Sequence, residues 1–403
     1  MRSTDNSQIQ GRALGYAAWC LVLGATPAVH AEQWYVEPSA SIRALYDDNV
    51  RLGSVNNIGS FAATATAEVE SGRRSETTEL GVRAKLLASR YTEVSDLDET
   101  DGMLGFLSAR QMGRSRFKFD GEFNYDSTST SEVSTTGFVQ ANKRRQRFLL
   151  SPSWNYTLTP RSQVEASFSY QGVAYEDVEL IPLFDYSFSQ VGLTLIHSLS
   201  ERSQGFSRVT YDKYDASTVD TQSDNYGFEL GANYRLSETL TFSAFAGLRH
   251  SKAETPGLFG IEETENTGPL FETSLTKTFQ VGQLNLKADR SLLPSSSGTL
   301  LDTTSLGMSF DYPIGPRWTL SFSAEGYKNR TPDGNSSSSD RDYLSFSPRL
   351  RHRLSESLYL DLGYRYRWQK YDTRSDEAES NAIYLGLQYS LPREPLRRWS
   401  LLE

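Results

Sequence analysis

The sequence predicts an all-β fold, a transmembrane antiparallel up-and-down β-barrel of about eighteen strands. Three observations lead there. Short segments recur with apolar residues on one parity only; their connections alternate between tight turns and long polar loops; and the composition suits strands better than a thick globular core. Only 37% of the 403 residues are hydrophobic, yet 12% are aromatic, with 22 Tyr and 20 Phe against 4 Met and 1 Cys. Such a chain is rich in residues that favour pleated sheets and interfaces.

The N-terminal stretch bears on the compartment. Arg2 and Arg12 precede an apolar run from Ala13 to Leu23, and Ala28-Val29-His30-Ala31 has the small-x-small pattern of a signal-peptidase site. Residues 1–31 read as a secretory signal, 32–391 as the barrel and 392–403 as a periplasmic tail carrying Arg393, Arg397 and Arg398. The run is too short to span a bilayer, and no later segment is long and apolar enough for a membrane helix. Cys20 lies inside the signal, so the mature chain is expected to have no disulfide and no thiolate metal site. Without Arg2, Asp5 and Arg12 the chain keeps 39 basic and 49 acidic residues, a formal charge of -10 that opposes binding to nucleic acid.

The first strand sets Val36, Ala40, Ile42, Ala44 and Tyr46 against Glu37, Ser39, Ser41 and Arg43. Midway, Tyr226, Phe228, Leu230, Ala232, Tyr234 and Leu236 share one parity, and Leu240, Phe242, Ala244, Ala246 and Leu248 continue it on the next segment. Near the end, Leu358, Leu360, Leu362, Tyr364, Tyr366 and Trp368 oppose Tyr359, Asp361, Arg365 and Arg367. Each is a period of two with one apolar face. In water such stripes would be an aggregation hazard, which argues against a soluble sandwich or solenoid.

Tight turns are expected at Gly72 to Ser75, Gly113 to Ser115, Thr159 to Ser162, Ser200 to Ser203, Ser237 to Thr239, Gln280 to Gly282, Ile314 to Arg317 and Ser355 to Ser357. Between them are polar loops of roughly nine to twenty residues. Short turns at one end and long loops at the other match an outer-membrane barrel with turns and both termini in the periplasm.

Aromatic residues end many apolar faces. Tyr46, Tyr91, Tyr125, Tyr170, Tyr211, Tyr327 and Trp368 are expected to form the upper girdle; Trp154, Tyr234, Tyr312, Trp318 and Tyr389 the lower. Asp47 and Asp48, just beyond Tyr46, then read as the wet end of a strand, with a metal site the alternative. An ionised side chain in lipid at the midplane costs roughly 2–4 kcal/mol, so those in mid-strand should face the lumen. That places Arg43, Arg83, Lys85, Lys118, Asp120, Glu122, Arg147, Glu325, Arg349, Arg351, Arg353, Asp361, Arg365 and Arg367 on the substrate path. Arg349, Arg351 and Arg353 on one strand and Arg365 and Arg367 on the next could form a basic ladder for acidic sugars, or could pair with wall carboxylates. Eighteen strands close at a backbone diameter of roughly 35 Å, too wide for side chains alone to fill, so either water or infolded loops must occupy the interior.

No enzyme, metal or cofactor is expected. His197 and His352 fall on the lipid parity, and His250 beside Ser251 shows no spacing that demands a nucleophilic site. Asp96, Asp98 and Asp101 before Gly102 approach a calcium-loop spacing, but a solvated loop explains them as well.

The stretch Tyr46-Asp47-Asp48-Asn49-Val50 and the segment "ADRSLLPSSSGTLLDTTSLGMSFDYPI" from Ala288 resemble the outer-membrane β-barrel porins encoded with bacterial exopolysaccharide export systems. The resemblance spans the mature chain in layout. It implies an outer-membrane exit for polysaccharide, embedded in lipid and lipopolysaccharide, inserted by the barrel assembly machinery and working with periplasmic export components. The expected function is a channel passing or exporting hydrophilic (poly)saccharide. The alternative is a structural or adhesive barrel with acidic surface loops, and a barrel hydrolase ranks below both.

Overall fold

The computed structural model describes residues 33–55, 57–132, 142–178, 181, 183–257, 260–332, 340–373 and 376–391. The expected signal segment, residues 1–31, and the expected tail, residues 392–403, lie outside the described residues.

Among the described residues the chain forms eighteen strands in one antiparallel sheet. The first nine are β1 (Gln33–Asp47), β2 (Ser60–Arg74), β3 (Thr78–Tyr91), β4 (Glu99–Met112), β5 (Ser115–Ser127), β6 (Arg144–Thr159), β7 (Ser162–Tyr175), β8 (Tyr186–Ser198) and β9 (Ser203–Ala216). The rest are β10 (Thr221–Ser237), β11 (Leu240–Gly257), β12 (Gly260–Thr278), β13 (Gln283–Pro294), β14 (Leu300–Pro313), β15 (Trp318–Arg330), β16 (Arg341–Arg353), β17 (Leu358–Tyr371) and β18 (Glu377–Ser390). Each strand pairs with its neighbours in sequence. β1 also pairs with β18, from Ser39 opposite Ser390 to Asp47 opposite Ala382, so the sheet closes on itself. Closure is what a bilayer demands, because hydrocarbon has no water to satisfy an open strand edge. No helix of the described residues is long and apolar enough to cross a membrane; the crossing is made by strands.

The apolar parity faces out. On β10, Tyr226, Phe228, Leu230, Tyr234 and Leu236 are exposed, while Glu229 between them is buried. On β18, Ile383, Leu385, Leu387 and Tyr389 are exposed, and the alternate residues Ala378, Ser380 and Ala382 are buried. This inversion of a soluble protein's pattern makes an apolar belt that only lipid can cover.

Seven of the eight expected turns fall where strands meet at one end of the barrel. The first is displaced: β2 runs through Arg74, and the turn lies at 75–77, where the Ser75 amide donates to the Thr78 carbonyl at 2.8 Å. Gly72 is instead a ladder residue opposite Gly81, and a Cβ there would come within 2.6 Å of the Tyr35 hydroxyl. At the other end, several connections are shorter than the expected loops. Residues 217–220 alone join β9 to β10, and 295–299 alone join β13 to β14. Here both parities are polar and lose the period of two, yet the ladder continues, as with Lys252 and Glu263 paired at 2.9 Å across β11 and β12.

Leu230, 56% exposed on the outer face between Tyr226 and Tyr234, tests the membrane assignment. Leu230→Arg should destabilise the barrel in lipid by about 2–4 kcal/mol, read as a lower denaturant midpoint in vesicles. A neutral outcome would contradict lipid contact at that site.

Candidate functional site: the lumen and its loop-end mouth

The inward parity carries charge around the ring. Arg83 lies 3.5 Å from Glu68 and 3.6 Å from Glu70 on the neighbouring strand, and Lys85 stands opposite Glu68 in the ladder. Lys118, Asp120 and Glu122 share the face of β5 opposite Phe117 and Phe123, which are exposed on the outside. Glu122 accepts from Arg147 at 2.5 Å and from Asn124 at 2.6 Å. The Arg43 guanidinium sits over the Tyr384 ring at 4.4 Å, and Glu325 has the same parity as buried Tyr327 and Asn329.

The ladder arginines separate into different environments. Arg351 forks onto Asp361 at 2.7 and 2.8 Å and also donates to Gln388 at 2.6 Å. Arg349 reaches the Ser321 hydroxyl at 3.5 Å, and Arg353 is exposed at the turn end. Arg365 and Arg367 both bind one carboxylate, Asp47, each at 2.9 Å.

Asp47 is 1% exposed and is fully engaged. Its Oδ2 takes the two arginines, while its Oδ1 accepts from the Ser380 hydroxyl at 2.7 Å and the Asn49 amide at 3.0 Å. The chain beyond it is thereby turned inward. Asn49 donates to the Glu379 and Gly53 carbonyls at 2.8 Å each, and Gln369 donates to the Leu52 carbonyl at 2.8 Å. Leu52 packs on Tyr327, Tyr343 and Ala378, and Val50 packs on Val94 and Leu97, with Tyr91 against the same cluster. Leu52 holds φ at 51°, a left-handed backbone that costs a leucine roughly 1–2 kcal/mol, offset by its burial. Asp48 accepts from the amide and side chain of Asn381 at 2.7 and 2.9 Å.

A second inward element is the β13–β14 hairpin. Pairing between β12 and β13 stops at Phe271 opposite Arg290, while β11–β12 continues to Gly257 and Gly260 and β13–β14 to Pro294 and Leu300. Released from β12, the hairpin tip crosses toward β7–β9. The Ser295 carbonyl accepts from Tyr214 at 3.0 Å, the Ser296 carbonyl from the Phe184 amide at 2.8 Å, and the Ser296 hydroxyl donates to Glu132 at 3.0 Å. Glu132 also accepts from Tyr175 at 2.7 Å and lies 3.4 Å from Arg145. Beneath the tip Leu292 and Leu300 join Val173, Tyr175, Leu183, Tyr186, Tyr214 and Ala216 in a buried cluster. The mouth at the loop end is therefore narrowed from two sides. Residues 133–141, within the loop before β6, lie outside the described residues.

Two girdle expectations require correction. Tyr91 and Tyr327 have inward parity: Tyr91 packs on the Val50 cluster, and Tyr327 is buried, stacked on Tyr343 at 4.7 Å. An aromatic at a strand end fits a membrane girdle or a plug against infolded loops, and only parity counted through the whole strand separates the two. Tyr46, Tyr125, Tyr211, Trp154, Tyr234, Tyr312, Trp318 and Tyr389 are exposed on the outer face; Tyr170 and Trp368 share its parity.

His250 points out, 3.2 Å from the Thr267 hydroxyl, whereas Ser251 is buried on the opposite face. Asp96 pairs with Arg51, Asp98 accepts from the Tyr91 amide at 2.8 Å, and Asp101 pairs with Arg144 at 3.0 Å. No cluster of metal-binding type occurs among the described residues. Sequence reasoning missed Arg208 forked on Glu229 at 3.2 and 2.6 Å, and Asp302 shared by Arg290 and Arg249. The first pair is directly cross-strand and was accessible once the register was known. The second depends on the hairpin's displacement.

A model of the family described as "Putative beta-barrel porin 2" matches residues 29–391. No curated protein matches the chain. Among solved structures, a BenF-like porin from Pseudomonas fluorescens Pf-5 aligns at 11% identity and TM-score 0.49, covering 88% of this chain and 99% of that one. Pseudomonas aeruginosa OpdK with vanillate aligns at 12% identity and TM-score 0.46, covering 88% and 98%.

Asp47→Asn removes the charge shared by Arg365 and Arg367. The variant should lose about 3–5 kcal/mol of stability in urea titration, because a buried cation is left unpaired. Its single-channel conductance should rise as residues 48–55 come away from the wall; an unchanged conductance would show that this segment does not narrow the path.

Proposed function

This chain belongs to the family described as Putative beta-barrel porin 2, and from that premise we propose that it is a diffusion channel for hydrophilic saccharides, with a preference for acidic ones. As an outer-membrane porin barrel it crosses the bilayer with its apolar belt. The observation that carries the solute class is the inner wall, where Arg43, Arg83, Lys85, Lys118, Glu122, Arg147, Arg208, Glu229 and Glu325 put both signs of charge along one face. A hydroxylated solute that leaves bulk water needs such partners to replace its hydration. Arginine adds a fork that matches a carboxylate.

In this reading the loop end lies outside, the turn end in the periplasm, and lipid and lipopolysaccharide cover the aromatic belt. The barrel assembly machinery inserts it. Passage of a polymer, with periplasmic export components feeding it, requires the β13–β14 hairpin and residues 48–55 to swing off the wall. Both are held by side-chain contacts and isolated backbone hydrogen bonds rather than by a continuous ladder to the wall, which favours a mouth able to open.

Planar-bilayer recording of the refolded barrel tests the proposal. Steady ion current, reduced transiently by millimolar acidic oligosaccharide and less by its neutral counterpart, is the expected outcome. Replacing Arg83, Lys85, Lys118 and Arg147 with Gln should lower the acidic-over-neutral preference. A folded barrel without current, or with equal response to both sugars, would overturn it.

A further inference from the structure

Beneath the β13–β14 hairpin the wall forms a partly open cavity of about 270 Å³. Arg249 of β11 lines it with a side chain only 2% exposed. Its Nη2 donates to Asp302 at 3.3 Å, but its Nε and Nη1 are buried and have no hydrogen-bond partner in the protein. Across the same cavity, Oδ1 of Asp212 on β9 is also buried and unpartnered. Leaving a buried polar group unpaired costs roughly 1–3 kcal/mol, and more for a charged one. One cavity thus presents open donors on a cation and an open acceptor on an anion, while Asp302 holds the rest of the first and Gln190 the second.

The wall between them is kept clear. The ladder places Thr210, Gly227 and Arg249 in one row across β9, β10 and β11, with Asp212 and Asn225 in the next pairing. Gly227 therefore offers no side chain between the two groups. On β12, a Cβ at Gly268 would approach Nη2 of Arg249 to 2.9 Å, so that glycine lets the guanidinium lie against the strand.

Charge is unevenly distributed. Asp302 is shared by two guanidinium groups, since Arg290 forks onto it at 2.9 and 3.1 Å, so the hairpin end of the cavity carries one excess positive charge. On the other side Arg208 and Lys287 face Glu229, Glu272, Asp289 and Asp212, two excess negative charges. A ligand that suits both ends carries a carboxylate at one end and hydroxyl donors at the other. The volume falls just below the roughly 300 Å³ lower bound of ordinary small-molecule sites, which fits one monosaccharide unit rather than a chain.

We propose that this cavity is a transit subsite for a single sugar acid, its carboxylate received by the open donors of Arg249 and a hydroxyl donated to Asp212. This rests on the saccharide-channel reading and names its ligand. Calorimetry on the refolded, detergent-solubilised barrel tests the subsite, with D-galacturonate, D-galactose and acetate as probes. Galacturonate should bind about tenfold more tightly than galactose, the difference of one charge-assisted hydrogen bond. Arg249→Gln should weaken both galacturonate and acetate, whereas Asp212→Asn should weaken galacturonate and spare acetate.

Equal affinity for galacturonate and galactose, or galacturonate affinity unchanged in both Arg249→Gln and Asp212→Asn, would overturn the subsite. Should Arg249→Gln fail to fold, Asp212→Asn decides alone. Conductance measured on the same preparations keeps the two readings apart. Current without galacturonate binding removes the subsite and leaves the channel; binding without current leaves the subsite and removes the channel.

Discussion

Every backbone amide and carbonyl that enters hydrocarbon must find its partner within the protein. In this chain that requirement is met by joining β1 to β18, from Ser39 opposite Ser390 to Asp47 opposite Ala382. The other principal features follow. A closed sheet has an inside and an outside, so the period of two assigns each side chain to lipid or lumen. The energy of a bare charge in lipid then sends Arg83, Lys118, Glu122 and Arg147 inward.

A ring of eighteen strands is too wide for its own side chains to fill, and the chain narrows it at one end with pieces that sheet hydrogen bonds do not hold. Three buried carboxylates share this work. Asp47 gathers Arg365, Arg367, Ser380 and the Asn49 amide; Asp302 gathers Arg290 and Arg249; Glu132 gathers Tyr175, Ser296 and Arg145. In each case one carboxylate binds donors from segments far apart in sequence. Such contacts position an infolded segment without adding much net stability, since desolvation offsets much of the Coulomb gain. The same charge that closes the mouth therefore leaves it openable, which suits a channel better than a rigid plug would.

The sheet was legible because its signal is repeated. Tyr226 to Leu236 and Leu358 to Trp368 alternate cleanly, and lipid on one side with water on the other permits no other assignment. The errors lie where that contrast ends. Above the membrane both faces of a strand are wet, so the ladder of β11 and β12 continued through a sequence with no apolar parity. Tyr91 and Tyr327 stand at strand ends like girdle residues, but their neighbours are Val50 and Leu52, which reach them only because the loop after Asp47 folds inward. For the site, the inward charges were visible one by one, while their partners were not. Arg365 and Arg367 look like a ladder until Asp47, more than three hundred residues away in sequence, is placed against them.

By itself the sequence determined the class of fold, the facing of the strands and the mixed charge of the inner wall, because each depends on a side chain and its medium, and periodicity records that relation locally. Only the tertiary structure decided which loops turn into the lumen, which arginines are engaged, and that Arg249 and Asp212 share a cavity with open hydrogen-bonding capacity. Those outcomes depend on pairings across the ring and on the point where β12 lets go of β13. A contact between two distant charges contributes energy only once closure has brought them together, and no local pattern carries that distance.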